Sequence, residues 1–156
     1  MKLLTEDEAL NLNNISPGMQ IARAGEAIRQ GQKLTTIEGT FDFDIDTGAQ
    51  QTVQLKDAKG ALVVLPENII IQKILSDEIT TLTSAGSATL QVKAGSTVLT
   101  GLVAFAAGFT GIDDQALASS ADGIKLTSEQ DLNLTIATAD LTAGKATFHI
   151  EFIQIG

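Results

Sequence analysis

The sequence predicts an all-β chain folded as an antiparallel β-sandwich or barrel, and three observations support that fold class. From Thr35 onward, apolar and polar residues alternate with the period of two that is typical of strands with one buried face. Turn pairs that contain glycine, such as Asp122-Gly123 and Ala143-Gly144, separate these strands at short intervals. No helical periodicity occurs between them. The 156 residues, 44% of them hydrophobic, are enough for one packed core and one domain.

The composition excludes several kinds of site. The chain has no Cys and a single His, which rules out disulfides, Cys-based zinc sites and any site that needs two imidazoles. The net charge of −9 argues against direct nucleic-acid binding, which depends on a basic face. The first residues lack a signal-peptide pattern, and the longest apolar runs fall short of the ~20 residues of a transmembrane helix. We therefore expect a protein made in the cytoplasm, with no membrane partner.

A change in charge and composition near Leu34 divides the chain into an N-terminal arm, 1–34, and a β-sandwich domain, 35–156. The arm has no net charge, and the domain carries the whole −9. Capping patterns at Thr5 and at Ser16-Pro17 allow short helices in the arm. Glycines interrupt the longer of these patterns, and each costs about 1 kcal/mol in a helix interior. We favour an extended arm and keep a short helix as the alternative.

The domain begins with a predicted strand in which Phe41, Phe43 and Ile45 alternate with aspartates. A second strand over 52–56 is followed by a turn at 57–60. These elements have the spacing of short antiparallel strands.

The later part of the domain continues the pattern. The β-branched run from Ile69 to Thr83 predicts one long strand with a bulge, or two strands. Further strands are predicted over 87–93, 131–136 and 146–155. The small, apolar stretch 103–120 predicts a long loop with a short helix over 113–119.

One pattern occurs twice in the domain. Residues 84–92 and 142–150 both have the form [ST]-A-G-x-A-T-Φ-x-Φ, where Φ is apolar, and each copy follows a Thr-rich strand. We interpret each copy as a β-hairpin with an Ala-Gly turn. Two hairpins of one kind are consistent with a double-layered sandwich.

The candidate chemical groups do not form a catalytic or metal-binding pattern. Asp42, Asp44 and Asp46 fail the spacing of a calcium loop, so we expect them to solvate an edge strand, with a loose cation site as the alternative. Asp113-Asp114 has no second catalytic group nearby, and His149 lies in a strand without a nucleophile or co-ligand. We therefore predict no catalytic residue, no cofactor and no metal.

Four stretches of the domain resemble tailed-bacteriophage capsid decoration (cement) proteins and head-fibre-type proteins. They are Ile37–Phe43 (I-E-G-T-F-D-F), Leu65–Ile71 (L-P-E-N-I-I-I), Ile79–Leu90 and Ile124–Lys145. The resemblance covers about residues 35–156, and a further phrase at 23–32 is similar to one in phage structural proteins. It implies a jelly-roll-like sandwich, a homotrimer and a non-enzymatic virion protein on the outside of the capsid shell.

Two contact surfaces are expected for such a protein, one from the excess of apolar strand residues and one from the arm without net charge. The trimer interface is predicted at apolar strand residues that a single sandwich face does not need, together with the lone histidine: Ile70, Ile74, His149, Ile153 and Ile155. The arm is predicted to contact the major capsid protein through Ile15, Ile21, Arg23, Ile28, Arg29 and Leu34. The alternative is a phage fibre or receptor-binding module, although the absence of Trp and Tyr is unfavourable for a recognition patch.

Overall fold

The computed structural model describes residues 33–119 and 122–155, which form eleven strands and two short helical turns. The strands are β1 (Leu34–Asp42), β2 (Thr52–Gln54), β3 (Val64–Leu65), β4 (Ile69–Ser84), β5 (Thr89–Ala94), β6 (Thr97–Val98), β7 (Val103–Ala104), β8 (Ile112–Gln115), β9 (Ile124–Leu126), β10 (Gln130–Ala137) and β11 (Leu141–Gln154). The helical turns are α1 (Phe43–Asp46) and α2 (Phe105–Gly108). The choice between an extended and a helical arm lies outside the described residues.

The strands form two antiparallel sheets. The first sheet has the order β1-β11-β4-β8, with β9 also pairing with β4. The second sheet has the order β2-β10-β5-β6, with β3 also on β10 and β7 also on β5. This arrangement confirms the predicted all-β sandwich.

The strand order is that of a jelly roll. β2 and β3 both pair with β10, β6 and β7 both pair with β5, and β8 and β9 both pair with β4. Each of these three pairs therefore counts as one interrupted strand. The resulting eight strands follow the orders 1-8-3-6 and 2-7-4-5 along the two sheets. Two four-stranded sheets connected in this way are the jelly-roll arrangement, which occurs in viral capsid proteins and lectins among others.

The core lies between the two sheets and is built by the period-two alternation of their strands. β11 contributes Phe148, Ile150 and Phe152, and β10 contributes Leu132, Leu134 and Ile136, all of them buried. Phe109 packs edge-to-face on Phe148, with ring centroids 5.9 Å apart. The polar exceptions are stabilised by hydrogen bonds, because the Gln115 side chain donates to Ser76 Oγ (2.8 Å) and to the Gly108 carbonyl (2.6 Å).

The two copies of the repeated pattern are inter-sheet arches, so the hairpin prediction is wrong. β4 pairs with β11 in the first sheet, whereas β5 pairs with β10 in the second. The chain therefore crosses from one sheet to the other after Ser84, and it crosses back after Ala137. The two arches lie side by side, since Ser84 Oγ and the Ala85 N–H both donate to the Asp140 carbonyl (2.7 and 3.2 Å). The similarity of the two segments thus reflects a paired position in the fold.

Two local predictions are also corrected. The first strand ends at Asp42, because the Asp42 carboxylate accepts the Asp44 N–H (3.1 Å) and the Asp46 carboxylate accepts the Asp42 N–H (3.0 Å). These bonds close α1 where the alternation predicted continued strand. The predicted helix over 113–119 is wrong as well: Ile112–Gln115 forms β8, and the helical turn is α2, earlier in that stretch. No helix in the described ranges is long and apolar enough to span a membrane.

Candidate functional site

The outer face of the first sheet carries rows of side chains that run across its strands, and the row at one end is apolar. Residues opposite each other in a sheet point to the same face, so the register gives the rows directly. Leu34 of β1 is opposite Ile153 of β11, which is opposite Ile70 of β4. Leu34 is 52% exposed and the other two are half-buried. These three side chains form an apolar strip at the end of the sheet where β1 begins.

A second row combines charge with apolar surface. Glu38 is opposite His149, which is opposite Leu75, and Leu75 is opposite Asp114 of β8. His149 Nδ1 lies 3.4 Å from Glu38 Oε2. Because the Glu38 carboxylate is 60% exposed, this contact contributes little to stability in the isolated chain. It would gain strength in an interface that excluded water.

The opposite end of the same face carries a groove of about 440 Å³. Its apolar walls are Ile45 of α1 and Ile79 of β4, which are 67% and 52% exposed. Nearby, Ile112 of β8 is opposite Asp77 and is 73% exposed. Between these isoleucines and the apolar strip, the face carries the polar row of Thr36, Glu151 and Lys73 and the row with Glu38 and His149. Its exposed apolar surface is therefore concentrated at the two ends.

At the groove, two of the three aspartates of the predicted acidic edge, Asp42 and Asp46, form ion pairs. Lys145 Nζ lies 3.0 Å from Asp42 Oδ2, and Lys56 Nζ donates to the Asp46 carboxylate, whose side chain is 2% exposed. The hydrogen bond from Lys145 and the N–H of Asp44 hold the pKa of Asp42 below its ordinary value of 3.8. Within the described residues, no three His, Cys, Asp or Glu side chains form a group that could hold a metal ion.

The structure brings most of the predicted trimer-interface residues together and separates one from them. Ile70, His149 and Ile153 share the outer face of the first sheet. Ile155 follows β11 two residues after Ile153, which corresponds to the same face by strand alternation, and it is half-buried. Ile74 is fully buried in the core, so its assignment to an interface is wrong.

A β-bulge explains the error at Ile74. Ile71 is opposite Phe152, but Lys73 is opposite the preceding residue, Glu151, so one extra residue of β4 is inserted between them. The insertion reverses the parity of the strand, and Ile70 and Ile74 point to opposite faces although they are four residues apart.

The predicted arm contacts are only partly within the described chain. Ile15, Ile21, Arg23, Ile28 and Arg29 lie outside the described residues. Leu34 was assigned to the arm, but it is the first residue of β1 and pairs with Ile153. It therefore belongs to the apolar strip of the sandwich.

The remaining candidate groups have local partners. Asp113 Oδ2 accepts the Thr110 N–H (2.8 Å), and Asp114 Oδ2 lies 3.6 Å from Lys73 Nζ. Asp113 is half-buried and Asp114 points to the outer face, so the two carboxylates do not converge on one point. Asp113 holds the loop before β8, whereas the exposed pair of Asp114 and Lys73 contributes little to stability.

The sequence interpretation missed Leu75, Ile79 and Ile112 as members of the outer face. The signal for two of them was present, because Leu75, Asp77 and Ile79 alternate with residues that point inward. Ile112 could not be found in this way, since its stretch was assigned to a loop.

Comparison with known proteins shows the fold. No family model and no curated protein matches the chain. A chain in the structure of the Cyanophage Pam1 capsid asymmetric unit has a TM-score of 0.56 and 15% identity, over 80% of this chain and 87% of that one. Chains in the acidic stable capsid structure of Helicobacter pylori bacteriophage KHP30 and in the capsid of Ralstonia phage GP4 have TM-scores of 0.47 and 0.48. Their identities are 12% and 16%, they cover 78% and 80% of this chain, and the match spans 89% and 86% of theirs. The chain thus has the β-sandwich fold of a chain from the Pam1 capsid asymmetric unit.

Proposed function

We propose that this protein is a non-enzymatic virion structural protein that binds the outer surface of a phage capsid as a homotrimer and stabilises the shell. The observation that carries the proposal is a jelly-roll sandwich with a row of apolar side chains, Leu34, Ile153 and Ile70, across one end of an outer sheet face. The occurrence of the same fold within a phage capsid asymmetric unit supports it.

The trimer contact is proposed on the strip at the β1 end of the first sheet. Ile70, Ile153 and Ile155 from the sequence prediction are joined there by Leu34, and Leu75 lies in the row of His149 on the same face. A ring of three copies needs a heterologous contact, in which one part of the face meets a different part on the next copy. The face has parts of different character, since the apolar strip is separate from the row with Glu38 and His149. His149 and Glu38 would then lie at the rim of the apolar contact.

The arm is proposed to make the contact with the major capsid protein. Its apolar residues Ile15, Ile21 and Ile28 and its two arginines supply apolar and cationic groups without the acidic excess of the domain. Binding to the assembled shell alone would stabilise that shell by mass action. The acidic domain would keep the exterior soluble.

The test combines a mass measurement with capsid binding. Light scattering on a sizing column should give three times the chain mass of 16.3 kDa. Purified protein should sediment with phage capsids that lack it, and deletion of residues 1–33 should abolish that binding while circular dichroism retains the β signal. Binding that survives the deletion would remove the arm from the proposal. Absence of binding by the full chain would refute the capsid role, and localisation to a few tail sites would favour a fibre or receptor-binding module.

A further inference from the structure

β1 is an edge strand of unusual length for this molecule. The other edge strands of the described chain, β2, β3, β6, β7, β8 and β9, have two to four residues each, whereas β1 has nine. Short edge strands protect a sheet from pairing with another chain, and a long one is a template for such pairing. β1 has no proline or bulge, and its register with β11 is continuous from Leu34 to Asp42.

The backbone groups on the free side of β1 can be identified from one bridge. The Thr40 N–H donates to the Lys56 carbonyl (2.7 Å), and the Lys56 N–H donates to the Thr40 carbonyl (3.2 Å). The backbone of Thr40 therefore points away from β11, and by the alternation of an antiparallel ladder so does that of Leu34, Thr36 and Glu38. Within 33–119 and 122–155, these three residues have no backbone partner on that side.

A groove runs along this free edge. It has a volume of about 510 Å³ and lies between Thr36–Glu38 on one side and Leu62–Val64 on the other, with the turn after Asp57 at its end. Leu62 and Val64 are 58% and 41% exposed, so the far wall is apolar. The groove thus combines unpaired hydrogen-bonding groups with an apolar wall, which are the two elements of strand addition.

We propose that this edge binds an extended segment of the capsid shell protein, which adds a strand beside β1. The segment would place apolar side chains toward Leu62 and Val64 at alternate positions and a basic side chain beside Glu38. This inference rests on the proposed function for the identity of the partner.

Charge favours a different protein over a second copy. Glu38, Asp57 and Lys59 border the groove, so its charged lining has an acidic excess, and two backbone N–H groups of the turn hold the pKa of Asp57 below 3.8. A second copy would bring the same carboxylates and its own −9 charge to this edge, whereas a basic segment would be attracted. Pairing of two β1 edges would also be two-fold and would not close a ring of three.

The first test is the exchange of individual amides in the free protein by NMR. We expect the N–H groups of Thr36 and Glu38 to exchange fast while those of Ile37 and Gly39, which face β11, exchange slowly. Protection of Thr36 and Glu38 in the free protein would show that the chain or a second copy already covers the edge, and would overturn the proposal.

The second test is the variant Thr36→Pro, which removes one outward N–H and leaves the ladder to β11 intact. Its binding to capsids should be about tenfold weaker, as expected for the loss of an interface hydrogen bond and its neighbours. Thr36→Ala keeps the N–H and should bind as the original protein does. If Thr36→Pro does not fold, Glu38→Lys serves instead, because it should repel the basic segment by a similar factor while Glu38→Gln retains most of the binding. Since Glu38 also borders the proposed trimer contact, light scattering of Glu38→Lys separates a loss of capsid binding from a change in the oligomer.

Each outcome separates this inference from the proposed function. Failure of the unaltered protein to bind capsids would refute the capsid role itself. Binding by the unaltered protein, with folded Thr36→Pro or Glu38→Lys binding equally well, would refute the edge site alone. A fall in oligomer mass caused by Thr36→Pro would identify a second copy as the occupant and overturn the choice of partner.

Discussion

The two sheets are alike on their inner faces and different on their outer faces. Toward the core, both present mainly buried Leu, Ile, Val and Phe, with Ser76 and Gln115 of the first sheet as hydrogen-bonded polar exceptions. On the outside, the second sheet presents polar rows: Thr52, Thr135 and Gln91 lie opposite one another, and the next row contains Gln54, Asn133 and Lys93. The first sheet instead presents the strip of Leu34, Ile153 and Ile70. The inner faces thus account for the fold, and the proposed contact depends on the difference between the outer faces.

Hydrogen bonds between threonine hydroxyls occur on both outer faces. In the second sheet the hydroxyls of Thr52 and Thr135 are 2.9 Å apart, and in the first sheet those of Thr40 and Thr147 are also 2.9 Å apart. Such polar side chains bind one another and water, as expected for an exposed surface. No comparable pairing is available to the aliphatic side chains of the strip, so solvent exposure leaves them without partners.

The largest expected effect comes from two neighbouring residues of β4 on opposite faces. Ile74→Ala should lower the free energy of unfolding by about 2–5 kcal/mol, because Ile74 is fully buried and its truncation leaves a cavity. Leu75→Ala should cost about 1 kcal/mol or less in the isolated chain, because Leu75 is half-buried on the outer face. Urea unfolding of the two variants measures the difference.

Light scattering completes that comparison. Leu75→Ala should weaken self-association, whereas Ile74→Ala should affect it only through unfolding. Equal destabilisation by both substitutions, with no change in mass for Leu75→Ala, would show that the two faces of β4 are not different in the way the register indicates.

The position of Ile74 shows a limit of prediction from alternation. The pattern correctly predicted the long β4 strand and the strands around β5, β10 and β11. It could not locate the bulge opposite Glu151, since an extra residue in one strand is defined by its partner strand, about 80 residues away in the chain. An error of one residue in register exchanges the core face and the contact face, so outer-face residues are the least predictable part of the site.

The two arches show a related limit. A strand, a short polar turn and another strand have the same local pattern whether the second strand pairs with the first or crosses to the other sheet. The decisive contacts, such as Thr83 Oγ1 to Thr142 Oγ1 at 2.7 Å, join distant segments. Gly144 also differs from its counterpart in the first copy, because its φ is +115° and a β-carbon there would lie 2.6 Å from Leu82 Cα. The repeat was visible in the sequence, but its meaning required the pairing of β4 with β11.

The second prediction places one lysine on each outer face. Ile153→Lys should lower the apparent mass of the protein toward that of a single chain, because a charge buried in an interface costs about 3 kcal/mol, or about a hundredfold in affinity. Thr135→Lys, on the second sheet, is the matched control and should leave the mass unchanged. Light scattering over a dilution series gives both values. A fall in mass for Thr135→Lys alone would assign the contact to the other sheet.

The smallest expected effect concerns acid and the ion pair at the groove end of the first sheet's outer face. Lys145 keeps the pKa of Asp42 below 3.8, so the pair stabilises the fold above that pH, and the contribution is lost as the pH falls through the lower pKa of the folded state. The Asp57 carboxylate changes stability with pH in the same direction, because the N–H groups of Ala61 and Lys59 lower its pKa.

Urea midpoints measured from pH 6 to about pH 2 should therefore fall at the acid end. Asp42→Asn should lower the midpoint at neutral pH and reduce that fall. Thr135→Val, which removes a hydroxyl from the other outer face, should change the midpoint little and leave its pH dependence unaltered. If the acid fall in Asp42→Asn were undiminished, solvent would screen the Asp42–Lys145 pair in spite of its 3.0 Å distance. The ion pairs at the groove end of this face would then add no stability to the fold.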